Sequence, residues 1–175
     1  MIVLVMGVAG AGKTTVGRLL AAGLGFAFAD ADAFHPESNR EKMRRGVPLD
    51  DAERAPWLAA LAAAIDGWIR EEKSVVLACS ALKRSYRALL LRDPGRTRLV
   101  YLRGSPDVIR ARLEQRVGHF ATSALLASQL DALEEPDDAV TVDVAAPPET
   151  LVETIRIALG LQLRPCRSEA DEGSR

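Results

Sequence analysis

The sequence is poor in cysteine and has no long apolar run. Its 175 residues include two cysteines, Cys79 and Cys166, which lie in very different settings, so neither a disulfide framework nor a cysteine metal site is expected. No apolar stretch approaches the roughly 18 residues of a membrane-spanning helix, and the first residues do not resemble a secretory signal. We therefore expect a cytoplasmic protein that does not associate with membranes.

An excess of charge of either sign is also absent. Lysine and arginine number 23 against 24 aspartates and glutamates, so the net charge is −1, which argues against a general binder of nucleic acids or membrane surfaces. Hydrophobic residues make up 48% of the chain, enough for a substantial core. This length and composition predict one domain of the α/β class.

The clearest motif is a glycine-rich loop that matches the phosphate-binding pattern G-x-x-x-x-G-K-[ST]. It lies between the apolar run 2–6 and a predicted helix over 16–24. Glycines let such a loop turn its backbone N–H groups toward an anion, and the N-terminus of the next helix adds a favourable dipole. The residues expected to hold a nucleotide are Gly7, Ala9, Gly10, Ala11, Gly12, Lys13, Thr14 and Thr15.

The end of this motif predicts ATP and Mg²⁺ as cofactors. The Lys13 ammonium would reach the β- and γ-phosphates and act in catalysis, and the Thr14 hydroxyl would ligate Mg²⁺. An ordinary glycine-rich turn is the alternative interpretation, but the strand before the loop and the helix after it favour a nucleotide site.

Two carboxylates follow a second predicted strand over 26–29. Asp30 and Asp32 would point to one side if the backbone stays extended, and ligands of open α/β sheets gather beyond the carboxyl ends of the strands. One of them could act as a base; the alternative for each is a solvated turn residue or a helix cap. His35 is a weaker candidate, since a loop histidine often has a structural role.

A third predicted strand, over 74–79, is almost continuously apolar, as expected of a central strand covered on both faces. Many phosphate-loop proteins carry a Mg²⁺-directing acid after this strand, and here that acid is missing. Asp30 is therefore the candidate to support the metal through water, because Mg²⁺ keeps several waters and borrows one or two protein ligands.

The segment after the third strand offers a hydroxyl at Ser80 and several cations. Lys83 and Arg87 are four residues apart and could clamp a carboxylate or phosphate from one helix face. The alternative is a solvated basic face that also includes Arg84 and Arg92.

A long helix is predicted over 52–72. Trp57 and Trp68 recur with its apolar stripe, so both are expected in the core. Arg54 lies near the start of the helix, where a cation is poorly placed for the helix dipole, and this hints at an anionic partner. A solvated helix residue is the alternative for Arg54.

Residues from about 112 to 133 are expected to form a helical lid. Arg112 and Arg116 share a helix face, a loop follows over 117–123, and a helix resumes over 125–133. An arginine-bearing cover would stabilise the phosphoryl group in transfer and exclude water, whereas surface ion pairing is the alternative for each arginine.

Two further strands, over 98–102 and 139–144, and a last helix over 147–159 complete the predicted elements. The kinase domain would then span 1–160, and 161–175 would form a loose C-terminal tail.

Beyond the phosphate loop, several stretches resemble the gluconokinase family of the thermoresistant type. They are Asp30-x-Asp32-x-x-His35-Pro36, Gly46-x-Pro48-Leu49-x-Asp51-x-x-Arg54-x-Pro56-Trp57-Leu58, Cys79-Ser80-Ala81-Leu82-Lys83-x-x-Tyr86-Arg87, Gly118-His119-Phe120 and Ser128-Gln129-x-x-x-Leu133-Glu134-x-Pro136. They occur in the family's order and extend the resemblance over about 1–159.

The resemblance implies a three-layer P-loop kinase fold, with a parallel five-stranded sheet in the order 2-3-1-4-5, helices on both faces and a helical lid. It implies a homodimer that phosphorylates D-gluconate at O6 with ATP and Mg²⁺. The implied site roles are catalysis by Asp32, contacts with gluconate by His35, Arg54, Ser80, Lys83, Arg87 and His119, a place near adenine for Arg112, and a place near the transferring phosphate for Arg116.

Two other functions stay open at this point. A shikimate-type kinase shares the Asp-x-Asp pair and the phosphate loop, although it expects a Gly-Gly pair where this chain has Ser80-Ala81. A nucleotide-dependent binding module that transfers no phosphate to a small molecule belongs to a different class.

Overall fold

The sheet is parallel and five-stranded. The structure, a computed structural model, describes residues 1–114 and 123–162. Its strands pair in the order β2-β3-β1-β4-β5, with β1 between β3 and β4, which confirms the predicted order. The strands are β1 Ile2–Met6, β2 Ala27–Asp30, β3 Val75–Ala78, β4 Thr97–Arg103 and β5 Val140–Asp143.

Helices connect the strands close to the predicted positions. They are α1 Lys13–Leu24, α2 Glu37–Arg44, α3 Asp51–Arg70, α4 Arg84–Leu90, α5 Pro106–Glu114, α6 Ser123–Asp131 and α7 Pro148–Ala158. A short 3₁₀ turn, Ala31–Phe34, follows β2 at a point where an extended backbone was considered. Asp50, the N-cap residue of α3, forms a capping box with Glu53, in which the side chain of each residue accepts a hydrogen bond from the backbone N–H of the other.

The core has two halves, one on each face of the sheet. Val3 and Val5 of β1 face a cluster that α1, α5, α6 and α7 cover, whereas Ile2, Leu4 and Met6 face a cluster that α3 and α4 cover. All five side chains of β1 are at most 1% exposed. Alternate side chains of this central strand therefore pack into two apolar layers, one on each face of the sheet, which confirms the three-layer arrangement.

The predicted core position of the tryptophans is confirmed for Trp57, which is 2% exposed, and Trp68 is partly buried at the edge of the same cluster. In the described ranges, no helix is long and apolar enough to cross a membrane. The middle of the predicted lid, 115–122, and nearly all of the predicted tail lie outside the described residues.

Because all strands run in the same direction, their carboxyl ends meet at one edge of the sheet. The phosphate-binding pattern follows β1, Asp30 ends β2, and Cys79 and Ser80 follow β3. The sheet therefore brings the predicted site segments to a common edge.

Candidate active site

The phosphate loop, 7–13, connects β1 to α1. Gly10 and Gly12 have φ angles of +86° and +92°, which side chains with a Cβ rarely adopt, and Gly12 caps the N-terminus of α1. Lys13 Nζ donates a hydrogen bond to the Val8 carbonyl at 3.1 Å. Thr14 and Thr15 lie in the exposed first turn of α1. The loop and helix thus have the geometry that anion binding requires.

A cavity of about 360 Å³ lies beside the phosphate loop. Its lining combines backbone of the loop and of α1 with apolar side chains of α7 and with Arg112; it includes Gly10, Gly12, Thr15, Arg112, Ala146 and Leu151. Arg112 Nη2 donates to the Val144 carbonyl, which fixes the guanidinium at the rim. The mixture of apolar wall and polar loop suits a heteroaromatic ring that carries phosphates.

The two predicted metal residues are neighbours. Thr14 Oγ1 donates to Asp30 Oδ2 at 3.2 Å, and Asp30 Oδ1 accepts from the Asp32 backbone N–H at 3.1 Å. Asp30 is therefore a cap of the 3₁₀ turn as well as the partner of Thr14. A hydroxyl and a carboxylate oxygen are hard ligands that fit Mg²⁺, which takes its remaining ligands from water and substrate phosphate.

Asp32 lies within the 3₁₀ turn, so Asp30 and Asp32 do not line one side of an extended strand as considered above. The backbone turns because Asp30 accepts from the Asp32 N–H. Partial loss of hydration raises the pKa of Asp32; Lys13 opposes this shift and Asp30 reinforces it. The Asp32 carboxylate is therefore close enough to Lys13 of the phosphate loop and to Asp30 to be affected by both charges.

A second group of charged residues joins α3 to the segment after β3, and we call Asp51, Arg54, Lys83 and Tyr86 the cationic cluster. Lys83 Nζ donates to both carboxylate oxygens of Asp51 at 2.7 and 2.8 Å, and the Tyr86 hydroxyl donates to Asp51 Oδ1 at 2.5 Å. Arg54 Nη1 lies 3.4 Å from the Tyr86 hydroxyl and 3.7 Å from Asp51 Oδ1. Two cations and one carboxylate thus leave a net charge of about +1 in the cluster.

The two cations of the cluster are partly buried, whereas the Asp51 side chain that joins them is 61% exposed. The side chains of Arg54 and Lys83 are 27% and 30% exposed. Hydrogen bonds from Lys83 and Tyr86 lower the pKa of Asp51, and the hydrogen bond with Asp51 raises the pKa of Lys83, so both groups keep their charges near neutral pH. Arg54 and Lys83, which the resemblance implies as contacts of the acceptor, therefore lie at the same carboxylate, Asp51.

Arg87 has different contacts. It is 5% exposed, and its Nη1 donates to the carbonyls of Ala81 and Leu82 at 3.1 and 2.8 Å. The expectation that Lys83 and Arg87 share a helix face is wrong, because α4 begins at Arg84 and Lys83 is its extended N-cap residue. Arg87 is also no part of a solvated basic face; it supports the backbone of the segment that carries Lys83.

His35 is buried behind the 3₁₀ turn. It is 7% exposed and stacks on Trp57, with ring centroids 4.4 Å apart and planes 8° apart, while Trp57 Nε1 donates to the Ala31 carbonyl at 2.8 Å. Burial, with Arg54 and Arg40 adding repulsion, lowers the pKa of His35 to about 4, so the ring is neutral near pH 7. Within the described residues, its Nδ1 has no hydrogen-bond partner.

The 3₁₀ turn links the two parts of the site. Asp32, inside it, interacts with Lys13 of the phosphate loop, and the His35 backbone N–H donates to the Asp32 carbonyl at 3.3 Å. The pKa of His35, lowered mainly by burial, is lowered further by the positive charge of Arg54. Ser80, the remaining described candidate, directly follows the buried Cys79 and is half-buried. Arg116 and His119 lie outside the described residues.

Sequence reasoning gave no role to several residues that the structure places at the site. Asp51 precedes Arg54 by one helical turn, a spacing that could have indicated an ion pair. Gln129 accepts a hydrogen bond from the Ala9 N–H at 2.6 Å across 120 residues of sequence, a contact that no local pattern indicates.

Comparison with known proteins places the chain in a family. Residues 9–153 match the sequence profile described as shikimate kinase. The gluconokinase of Gluconobacter oxydans is 49% identical over 77% of this chain and 75% of that relative, and the thermoresistant gluconokinase of Escherichia coli is 42% identical over 86% and 89%. The crystal structure of a gluconokinase from Sinorhizobium meliloti superposes with a TM-score of 0.82 at 42% identity, over 90% of either chain. The chain belongs to the gluconokinase family of P-loop kinases.

Proposed function

We propose that the protein transfers the γ-phosphate of ATP to D-gluconate and so forms 6-phospho-D-gluconate. The observation that carries this proposal is the cationic cluster, a half-buried site of net positive charge at the sheet edge that also holds the phosphate loop. A monoanionic acceptor would neutralise the cluster with its carboxylate. The identity of the acceptor as gluconate is inferred from the names of the relatives, which are gluconokinases.

The nucleotide would occupy the phosphate loop and the adjoining cavity. Backbone N–H groups of the loop and the N-terminus of α1 would bind the phosphates, and Lys13 would reach the β- and γ-phosphates. The adenine ring would enter the cavity beside Arg112, whose guanidinium can stack on it. Arg116 is proposed to lie near the transferring phosphate because the sequence predicts an arginine-bearing lid and because the resemblance implies that position.

Thr14 and Asp30 would hold Mg²⁺, Thr14 directly and Asp30 through water. The ion, when bound, neutralises charge on the phosphate oxygens. Their hydrogen bond keeps the two oxygens adjacent before the metal arrives, so little reorganisation of the protein is needed.

Asp32 would orient the accepting hydroxyl and take its proton. The hydroxyl oxygen forms the new bond to phosphorus while the bond between the γ-phosphorus and ADP breaks. A raised pKa makes Asp32 a stronger base than an ordinary aspartate, and its electrostatic interaction with Lys13 indicates a position beside the phosphate loop, where the phosphoryl group would be transferred.

Arg54 and Lys83 would hold the carboxylate at the other end of the acceptor, with Ser80 and His35 near its hydroxyls. Arg87 would act by holding the Lys83 segment, and a direct contact with the acceptor would require it to leave its carbonyl partners. His119 stays a proposal from the resemblance, as does a homodimer. A cytoplasmic location, a lid over about 112–133 and a single kinase domain over 1–160, which the sequence pattern predicts, stay proposals as well.

A coupled assay of ADP release tests the proposal. Gluconate, its stereoisomers, shikimate and no acceptor would be compared with ATP and Mg²⁺. We expect turnover with gluconate well above the rate without acceptor. Turnover with shikimate alone would favour the shikimate-type alternative that the matching family profile allows. ATP binding without turnover on any acceptor would indicate a nucleotide-dependent binding module.

A further inference from the structure

One peptide group of the phosphate loop is held from both sides. The carbonyl of the Val8–Ala9 peptide accepts from Lys13 Nζ at 3.1 Å and from the Ala11 N–H at 3.2 Å. The N–H of the same peptide donates to Gln129 Oε1 at 2.6 Å. Because the two dipolar ends of a trans peptide point in opposite directions, these contacts fix the rotation of the peptide plane.

The orientation of this peptide matters for Lys13. In the observed orientation the Val8 carbonyl faces the Lys13 ammonium, an attractive contact that holds the long side chain beside the loop. The opposite orientation would direct an N–H group at the ammonium, which repels it. The Gln129 carbonyl oxygen favours the first orientation, since it accepts from the N–H on the other side.

Gln129 comes from α6, the helix of the proposed lid, and in this structure α6 packs on the rest of the domain. Leu126, one turn earlier in α6, is 2% exposed and belongs to the same apolar cluster as Val8. Just after α6, the Glu134 N–H donates to the Leu82 carbonyl at 3.0 Å, and Glu134 Oε2 accepts from the Arg84 N–H at 2.5 Å. The helix is thus anchored on both sides of Gln129, so the carboxamide meets the loop from a fixed position.

We propose that Gln129 is a positioning residue for phosphoryl transfer, which locks the Val8–Ala9 peptide so that its carbonyl keeps Lys13 in place for the nucleotide. This inference rests on the proposed use of ATP, and it adds a residue of α6 to the nucleotide site. The Gln129 carboxamide oxygen would act by accepting the hydrogen bond from the Ala9 N–H, and it would not need to contact the phosphates.

The test compares Gln129→Met, which keeps the size of the side chain and removes the acceptor, with Gln129→Ala. Calorimetric binding of a non-hydrolysable ATP analogue with Mg²⁺ is expected to weaken about fivefold to tenfold in both variants, the effect of one lost hydrogen bond. We expect kcat to fall by a similar factor while the KM for gluconate stays within twofold. In ¹⁵N-labelled protein, the Ala9 amide is expected to exchange faster with solvent.

Asp131→Ala is the matched control, because Asp131 is an exposed residue of the same helix. It should leave nucleotide affinity and Ala9 exchange as in the wild type. Unchanged affinity and exchange in Gln129→Met would overturn the proposal, and so would tighter nucleotide binding, which would mean that Gln129 competes with phosphate. The binding and exchange measurements need no acceptor, so they remain decisive even if gluconate proves not to be the substrate.

Discussion

The phosphate loop and the cationic cluster, which we propose bind the two anionic substrates, are built differently. The loop relies on backbone N–H groups, glycine conformations and one lysine within seven consecutive residues. The cluster relies on side chains from two segments about 32 residues apart, held together by Asp51. One site is shaped by the main chain, and the other by ion pairs.

The difference has consequences for specificity. Backbone N–H groups recognise phosphate in any nucleotide and cannot be changed by a side-chain substitution, so the loop provides a general function. Side chains can be exchanged one at a time, so under the proposed function the cluster, rather than the loop, would determine which acceptor binds. Damage to one site should therefore leave the affinity of the other nearly unchanged.

The largest effect is expected at Asp32, the proposed base beside the phosphate loop. Asp32→Asn removes the base and should lower kcat by about 10²- to 10⁴-fold. Because the pKa of Asp32 is raised, activity in the wild type should fall on acidification at a pH above the ordinary aspartate range, as the carboxylate takes up a proton. The pH profile of kcat/KM for gluconate, measured with the coupled assay, checks both points.

Asp30→Asn is the matched control for Asp32→Asn. It should chiefly raise the Mg²⁺ concentration needed for half-maximal activity, since it weakens the partner of Thr14. The assignment of Asp32 as base would be wrong if the acidic limb of the profile persisted in Asp32→Asn.

The next largest effect tests the independence of the two sites. Arg54→Ala is expected to raise the KM for gluconate roughly 10- to 100-fold, the effect of losing one or two charge-assisted hydrogen bonds, while the KM for ATP stays within twofold. Initial rates with each substrate varied in turn provide the measurement. Arg70→Ala, in the last turn of the same helix, is the control and should change neither constant. Equal damage to both constants would contradict the separation of the sites.

The same contrast explains what the sequence could predict. The phosphate loop and the candidates Thr14 and Asp30 follow from local motifs, and the sheet order follows from the family resemblance; the structure has them close to the expected positions. The side-chain contacts of the cluster depend on tertiary structure. Arg87 was expected beside Lys83, but the carbonyls of Ala81 and Leu82 bind its guanidinium, and Ala81 has a φ of +42° that no propensity indicates.

His35 offers a prediction on stability rather than on turnover. Its pKa is about 4 in the folded protein and about 6.5 in an unfolded chain. Between these values the unfolded state binds a proton that the folded state does not, so acidification from pH 6.5 to 4 should destabilise the protein. The contribution of His35 should be about 1 to 2 kcal/mol, less than the full shift implies, because water screens part of it.

Urea denaturation at pH 7 and pH 4.5 measures this contribution as the difference between the wild type and His35→Gln. The variant should lose less free energy of unfolding on acidification than the wild type does. His119→Gln, which removes the chain's other histidine, is measured alongside so that the contribution of His35 is separated from the loss of a histidine in general. Identical pH dependence in His35→Gln and the wild type would show that the ring is not kept neutral by burial.

The smallest effect is expected from Asp51→Asn. This variant distinguishes two possible roles of Asp51 in the cationic cluster. If Asp51 holds Lys83 and Arg54 in place for the acceptor, Asp51→Asn should raise the KM for gluconate about two- to fivefold, the modest effect of an exposed ion pair, with kcat unchanged. Asp50→Asn removes the same charge one residue away, and its amide can still cap α3, so it should have no effect. A lower KM in Asp51→Asn would mean that Asp51 occupies the cations in competition with the substrate. Unlike the phosphate loop, the cluster would then not be ready to bind an anion, because the acceptor would first have to displace Asp51 from Lys83 and Arg54.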